Sequence, residues 1–183
     1  PKVLDSYSTH LLANFGGYQG RALTAGDVIP LNDCRVCDKT PEHIEHLELN
    51  PQSYHGKYII RCTDSVETQL FSDVQIDDFY QRSYKVSQAS NRMGLRLEGQ
   101  SLTDLGIADI TSSGLLPGSI QIPPNGQPII SSVDGQTIGG YPRIANVISA
   151  DLFALGQLVP RDTIQFTKVN LATALKLNKL LLD

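Results

Sequence analysis

The sequence predicts a mainly β protein, a barrel or a sandwich, with a few short helices and a C-terminal helix. From residue 57 the chain changes to β-branched and aromatic runs, the first of which reads Tyr58-Ile59-Ile60-Arg61-Cys62. Such runs are typical of strands. They recur with glycine or proline between them at residues 84–86, 94–97, 119–122, 128–133, 143–149 and 163–169. Many short strands at this spacing favour an all-β barrel or sandwich.

The chain before residue 54 is predicted to be a connection and not part of the barrel. Residues 8–32 contain glycines suited to turns, followed by a short strand near residues 27–31. Residues 32–56 are polar and indicate a surface linker. We therefore expect a connecting segment over residues 1–53 and the barrel with its C-terminal helix over residues 54–183. Because the chain starts at Pro1 without a methionine, we expect residues 1–53 to be the remainder of a truncated preceding domain.

Three helices are predicted among the strands. Ser72 with Gln75 three residues later resembles a capping box, which predicts a short helix that closes one end of the barrel. Its apolar side is predicted to consist of Val74, Ile76, Phe79 and Tyr80. A second helix is predicted over residues 151–158. Asn170 can cap a third helix over residues 171–182, with a broad apolar face formed by Leu171, Ala174, Leu175, Leu177 and Leu181.

Composition narrows the class of protein. With 183 residues, 40 % of them hydrophobic, the chain can bury one good core. Its apolar runs are far shorter than the roughly 20 residues of a membrane span, and it contains no pattern typical of a signal peptide. We therefore expect a cytoplasmic location and no membrane partner.

The net charge of −4 and the scattered Lys and Arg argue against nucleic acid as a partner. The three cysteines predict reduced thiols.

One group of residues has the chemistry of a metal site. Cys34, Cys37, His43 and His46 offer the thiolate and imidazole ligands that zinc prefers. Their spacing is shorter than in finger modules, and no hairpin followed by a helix surrounds them. The alternative is a polar loop with incidental thiols, and we predict that no metal binds there.

Several catalytic motifs are missing from the sequence. It contains no Walker loop, no dinucleotide-binding glycine motif and no Gly-x-Ser-x-Gly elbow. The residues alone therefore identify no catalytic group. The glycine-rich text at residues 118–142 is the strongest candidate for a binding loop, with Gln136, Thr137 and Tyr141 as side-chain donors. A hairpin with an ordinary turn explains the same pattern, and that alternative stays open at this point.

Four longer stretches resemble signature sequences of one family. They read STHLLANFGGYQGRALTAGDVI, SNRMGLRLEG, GSIQIPPNGQPII and DGQTIGGYPRIANVISADL, at residues 8–29, 90–99, 118–130 and 134–152. Their order is similar to that in subunit 2 of the urea amidolyase-related, biotin-dependent carboxyltransferase family. That family includes allophanate hydrolase subunit 2, the C subunit of 5-oxoprolinase, and an antagonist of a sporulation-kinase inhibitor. The resemblance implies a cyclophilin-like β-barrel over residues 54–169, and it covers only the C-terminal part of the family's length.

The resemblance also implies a function that is shared between chains. The expected protein is a non-autonomous subunit, inactive alone, of an ATP-dependent 5-oxoprolinase or of the related carboxyltransferase and allophanate hydrolase system. Its implied partners are a subunit 1-type protein (the B-type chain of 5-oxoprolinase), an A-type chain or a biotin carboxylase, and a small amide substrate. ATP or biotin would be used by the complex, with no cofactor bound by this chain. The alternative is a protein-interaction module that antagonises a histidine-kinase inhibitor.

The family motif assigns candidate substrate-binding residues. The positions that match it are Arg92, Met93, Gln121, Gln127, Asp134, Gln136, Thr137, Gly139, Gly140 and Tyr141. Two positions depart from it, because this chain has Ser113 where the family often has Glu and Gly135 where it often has Arg. These departures remove a carboxylate and a guanidinium from the implied site.

Overall fold

A computed structural model describes residues 2–30, 56–102, 106 and 110–182 of the chain. Contacts between Cα atoms divide the chain into two compact units, residues 1–49 and residues 50–183. The boundary predicted after residue 53 falls outside the described residues. None of the helices in the described part is long and apolar enough to cross a membrane.

The strands and helices follow one another in this order. The strands are β1 Thr9–His10, β2 Phe15–Gly16, β3 Lys57–Asp64, β4 Ser83–Val86, β5 Gly94–Glu98, β6 Ser113–Gly114, β7 Ser119–Gln121, β8 Ile129–Ser131, β9 Ile138–Gly139, β10 Arg143–Val147 and β11 Thr163–Lys168. The α-helices are α1 Asp73–Gln81, α2 Leu152–Leu155 and α3 Leu171–Leu182. Single 3₁₀ turns occupy Thr68–Leu70 and Ser149–Asp151.

Seven strands form a closed barrel in the order β10-β3-β11-β4-β5-β8-β7, and β7 pairs with β10 to complete the ring. The neighbours pair antiparallel except β3 and β11, which run parallel from Lys57 beside Thr163 to Cys62 beside Lys168. β6 and β9 form a separate two-stranded sheet. The predicted mainly β fold with a C-terminal helix is confirmed.

Three aromatic side chains form the centre of the barrel's core. Phe79 of α1 stacks on Phe166 of β11 with ring centroids 4.7 Å apart, and Tyr84 of β4 lies 5.7 Å from Phe166. Each of the three is at most 1 % exposed. Burial of such a side chain is worth about 1.5–3 kcal/mol.

The predicted capping box is present, because the Gln75 N–H donates to Ser72 Oγ and the Ser72 N–H donates to Gln75 Oε1. Val74 was predicted on the apolar side, but it is exposed.

The C-terminal helix α3 packs through a narrower face than predicted. The Thr173 N–H donates to Asn170 Oδ1 at 2.8 Å, as expected for an N-terminal cap. Ala174 and Leu177 pack against Ile148 and Ala150. The other leucines predicted on this face, Leu171, Leu175 and Leu181, are exposed. The second helix, predicted over residues 151–158, is also shorter than expected, because Asp151 belongs to the 3₁₀ turn before α2 and the helix ends at Leu155.

The strand predicted near residues 27–31 is wrong for its described part, because residues 27–30 form no strand. The Asp27 carboxylate accepts hydrogen bonds from the Arg21 guanidinium at 2.7 and 2.8 Å and from the Thr24 N–H at 2.7 Å. These bonds fold the segment back on itself. The strands among residues 2–30 are β1 and β2, which are too short to show a period in sequence.

A bulge in β10 shapes the wall of the barrel. The pairing of β10 with β7 shifts between Arg143 and Ala145, so Ile144 has no partner opposite it on β7. Its carbonyl accepts a hydrogen bond from the buried Thr68 hydroxyl at 2.7 Å, and Thr68 Oγ1 accepts from the Ser65 N–H at 2.7 Å. The hydroxyl therefore satisfies two backbone groups at once.

Replacement of Thr68 by valine should destabilise the barrel by about 1–3 kcal/mol, since two backbone groups lose their partner in a buried position. Thr68→Ser keeps the hydroxyl and is the matched control, with a smaller expected loss. Urea unfolding followed by circular dichroism measures both. Equal stability of Thr68→Val and the wild type would contradict this role.

An ion pair next to the bulge links Arg143 to Glu67, with 11 % and 14 % of the two side chains exposed. Hydrogen bonding from the guanidinium lowers the pKa of the Glu67 carboxyl, and the smaller effect of burial opposes it. Ionised Glu67 therefore stabilises the fold at pH values above its unfolded-state pKa of about 4.3. This stabilisation is lost as the pH falls through the lowered folded-state pKa.

The Glu67→Gln variant should show a weaker loss of stability between pH 5 and pH 3 than the wild type, because it lacks the carboxyl group whose pKa is lower in the folded state. The measurement is the free energy of unfolding in urea at a series of pH values. A double-mutant cycle with Arg143→Gln isolates the contribution of the pair. An unchanged pH dependence in Glu67→Gln would show that the pair does not govern acid stability.

Candidate functional site

A cavity of about 210 Å³ lies against the barrel wall formed by β5, β8 and β7. It is small beside the roughly 300–1,000 Å³ of pockets that enclose drug-sized ligands. Its lining residues are mostly polar or glycine: Asn91, Met93, Gly94, Arg96, Leu115, Gln121, Ile129, Ser131, Gln136 and Tyr141.

Strand alternation explains why these residues face the cavity. Leu97, Ile120 and Ile130 point into the barrel core, so the residues next to each of them in sequence point to the outer face. The register places Arg96 of β5 beside Ile129 of β8, and Ile129 beside Gln121 of β7. The three form one row across the outer face, with a cation at one end, an apolar side chain in the middle and an amide at the other end.

Residues next to the sheet of β6 and β9 form the opposite wall: Leu115 follows β6, Gln136 precedes β9 and Tyr141 follows it. The Leu115 N–H donates to the Thr137 carbonyl at 2.8 Å, which extends the pairing of the two strands. Arg143 ties this sheet to the barrel, because its guanidinium donates to the Gly114 carbonyl and to Ser113 Oγ. The same guanidinium is held by Glu67.

Gln121 is the most buried of the predicted polar residues at the cavity, with 5 % of the residue exposed. Its Nε2 donates to the Tyr141 carbonyl at 3.3 Å. An amide has a second N–H and an acceptor oxygen, and these remain for a ligand. Gly139 makes room for this amide, since a Cβ at residue 139 would lie 2.6 Å from Gln121 Nε2.

The structure brings together some of the predicted site residues and separates others. Gln121, Gln136, Tyr141 and Met93 line the cavity. Arg92 and Asp134 do not line it; they form an exposed ion pair, with Arg92 Nε 2.6 Å from Asp134 Oδ2.

The remaining predicted residues lie around the cavity and not in its lining. Thr137 contributes its carbonyl to the Leu115 N–H, and Gly140 contributes its carbonyl to the Ile110 N–H at 3.1 Å. Gln127 lies on the far side of Ile129, where its side chain accepts from the Gly99 N–H at 3.0 Å and donates to the Gly99 carbonyl and Ser101 Oγ at 2.8 Å. Its hydrogen bonds hold the loop after β5.

The two departures from the family motif have local explanations. Ser113 accepts a hydrogen bond from Arg143 at 2.8 Å, and Glu67 supplies the carboxylate for that guanidinium. At Gly135 a Cβ would lie 2.6 Å from the Met93 carbonyl oxygen, so the backbone of this loop leaves no room for a side chain.

Sequence reasoning missed Arg96, Asn91 and Ser131 at the cavity. Arg96 stands four residues after Arg92 in the same family-like stretch, but only Arg92 was assigned. Strand alternation could have identified it, because Arg96 lies between Leu95 and Leu97 in a predicted strand. The choice of strands that meet at the cavity depends on the barrel order, for which the sequence carries no signal.

The candidate metal ligands Cys34, Cys37, His43 and His46 lie outside the described residues. In the described part of the chain, no group of three or more His, Cys, Asp or Glu residues could hold a metal ion. The expectation about zinc therefore stays a prediction.

The Gly139→Ala variant should displace the Gln121 amide and cost roughly 1–3 kcal/mol of stability, because the new methyl group overlaps Nε2 in a packed region. Gly114→Ala in the partner strand β6 is the matched control. A Cβ there meets nothing within 4 Å, so a change within about 0.5 kcal/mol is expected. NMR of the side-chain amides and urea unfolding measure the two effects. An unmoved Gln121 amide signal in Gly139→Ala would contradict the close packing.

Comparison with known proteins gives consistent results in sequence and in structure. The chain is 38 % identical to the C subunit of Escherichia coli 5-oxoprolinase over 96 % of its own length and 54 % of that protein. It is 39 % identical to the C subunit of Haemophilus influenzae 5-oxoprolinase over 98 % of its own length and 55 % of that protein. The chain thus spans about half the length of these relatives.

A solved structure covers the whole fold. The crystal structure of Kluyveromyces lactis urea carboxylase matches 98 % of this chain and 17 % of that one, with a TM-score of 0.67 and 29 % identity. The family described as carboxyltransferase domain, subdomain A and B, matches residues 1–168. The chain therefore belongs to the carboxyltransferase domain family, subdomains A and B.

Proposed function

We propose that this chain is part of a subunit of a multi-subunit amide-processing enzyme of the ATP-dependent 5-oxoprolinase type, which opens 5-oxoproline to glutamate. One observation carries the proposal. A small cavity lined by two glutamine amides and a tyrosine lies in a chain that is 38 % and 39 % identical to the C subunits of two 5-oxoprolinases. The cavity is the proposed binding place of the cyclic amide.

The polar groups of the cavity match the two hydrogen-bonding ends of an amide. The free N–H of Gln121, the Gln136 amide and the Tyr141 hydroxyl can donate to the carbonyl oxygen of a substrate, and Gln121 Oε1 can accept from its N–H. Ser131 adds a hydroxyl group to the lining. These residues would bind and orient the amide. No residue of the cavity is assigned a proton-transfer role.

The rest of the reaction is proposed to take place with partner chains. Relatives of this chain are a subunit of 5-oxoprolinase and a domain of the larger urea amidolyase. We propose a B-type 5-oxoprolinase chain as the direct partner and an A-type chain as a further component, in the cytoplasm. A cavity of about 210 Å³ suits a small amide better than a nucleotide. ATP is therefore proposed to bind another chain, and ATP would supply the energy for opening the ring.

Carboxyl transfer is the second candidate function. The chain is 32 % identical to Saccharomyces cerevisiae urea amidolyase over 93 % of its length and matches a urea carboxylase structure over 98 %. In that case the same cavity would take a urea-like amide, and biotin carried by another domain would supply the carboxyl group. The role of antagonist of a kinase inhibitor stays a prediction from family resemblance alone.

Alanine variants of two glutamines, Gln136 and Gln127, distinguish a residue that binds substrate from one that stabilises the fold. Gln136→Ala should lower turnover of 5-oxoproline by about tenfold or more with little change in melting temperature, because it removes a positioned hydrogen-bonding group from the cavity. Gln127→Ala is the matched variant and should lower the melting temperature, because its side chain makes three hydrogen bonds outside the cavity. The measurement is ATP-dependent glutamate formation by the full-length protein together with its partner chains.

The chain by itself should form no glutamate and release no phosphate. Wild-type turnover in Gln136→Ala, together with activity lost in Gln127→Ala at full stability, would place the amide site elsewhere. Carboxylation of urea without glutamate formation in the assembled wild type would favour the second candidate.

A further inference from the structure

Arg96 is the one charged residue among the described residues that line the cavity. Its guanidinium has no hydrogen bond or ion pair to any side chain or carbonyl in the described part of the chain. The residue is exposed on β5, on the outer face of the barrel, and it lines both this cavity and a neighbouring one that Glu98 also lines. A free guanidinium presents paired N–H donors in a plane, which is the geometry that a carboxylate accepts.

No acidic residue in the described part of the chain forms an ion pair with Arg96. Glu98, two residues along the same strand, accepts a hydrogen bond from the Ser87 hydroxyl. Asp134 is paired with Arg92. No carboxylate is among the described residues that line the cavity. Among the residues that line this cavity, Arg96 therefore supplies the one charge, and that charge favours an anionic ligand.

The row formed by Arg96, Ile129 and Gln121 on the outer face indicates where the chemical groups of a ligand would lie. Arg96 lies beside Ile129, and Ile129 lies beside Gln121. Neighbouring strands are about 4.8 Å apart, so the backbones of Arg96 and Gln121 are separated by roughly 10 Å, within reach of their side chains for one small ligand. A ligand that fits this row has a carboxylate at one end, apolar carbons in the middle and an amide at the other end.

We infer that Arg96 is a specificity-determining residue that binds the carboxylate of a small anionic cyclic amide while Gln121 binds its amide group. The inference rests on the proposed function and deepens it, because it selects carboxylate-bearing lactams over neutral amides such as urea. Urea has no anionic group for the guanidinium. Arg92, the arginine assigned from the family motif, is excluded from this role by its pairing with Asp134 outside the cavity.

The test compares 5-oxoproline with its neutral analogue 5-oxoprolinamide on the full-length protein together with its partner chains. Arg96→Met should raise KM for 5-oxoproline by about 10- to 100-fold, the usual effect of losing a charge-assisted hydrogen bond, with a smaller change in kcat. Binding and turnover of the neutral analogue should change by less than about threefold. Arg96→Lys should retain part of the affinity for 5-oxoproline, because it keeps the charge but not the planar donor pair.

Lys85→Met is the matched control, since Lys85 is an exposed cation on the neighbouring strand β4, opposite Glu98, and does not line the cavity. It should leave KM for both compounds unchanged. An equal loss for 5-oxoproline and its neutral analogue in Arg96→Met, or no loss for either, would overturn the inference.

Calorimetric titration of the assembled protein with 5-oxoproline measures binding without turnover, so the role of Arg96 can be tested independently of the proposed reaction. Absence of turnover by the wild type counts against the reaction but leaves binding to be measured. Weaker binding of 5-oxoproline by Arg96→Met than by the wild type supports the inference. Equal binding by the two proteins, or no binding by the wild type, overturns it.

Discussion

The parallel pairing of β3 with β11 is the constraint on which the rest of the structure depends. These strands are the first and the last of the barrel in sequence, and the ring of seven strands cannot form without their pairing. Closure leaves no barrel edge with unpaired N–H and carbonyl groups. It also defines an inside and an outside for every strand, so that alternate residues enter the core or reach the outer face. The aromatic centre of Phe79, Tyr84 and Phe166 depends on this closure, since each comes from a different element.

The cavity follows from the outer face of the same wall. Once Leu97, Ile120 and Ile130 are committed to the core, their neighbours on three adjacent strands are brought into register outside it. The inner face of these short strands thus stabilises the barrel, and their outer face lines the cavity. A one-residue slip in any of them would exchange the faces and would place polar groups in the core.

The bulge of β10 connects the barrel to the opposite wall of the cavity. The shift at Ile144 requires a partner for its carbonyl, which Thr68 provides. Next to it, Arg143 bonds to Glu67 and to Ser113 and Gly114 of the small sheet. A largely buried ion pair of this kind is costly when only one partner remains. Through its bonds to Ser113 and Gly114, Arg143 also fixes β6, the strand that precedes Leu115 at the cavity.

The sequence by itself determined the mainly β class, most of the barrel strands, the capping box at Ser72 and the cap at Asn170, because these depend on local periodicity and local hydrogen bonds. Gln121, Gln136 and Tyr141, which the family resemblance predicted as site residues, line one cavity. Tertiary structure alone decided which charged residue faces that cavity. Arg92 and Arg96 stand in the same stretch of sequence, and nothing local distinguishes their roles. In the structure Arg92 pairs with Asp134 outside the cavity, and the register of β5 places Arg96 in the cavity lining. Register and strand order are long-range properties, and a single sequence carries no local signal for them.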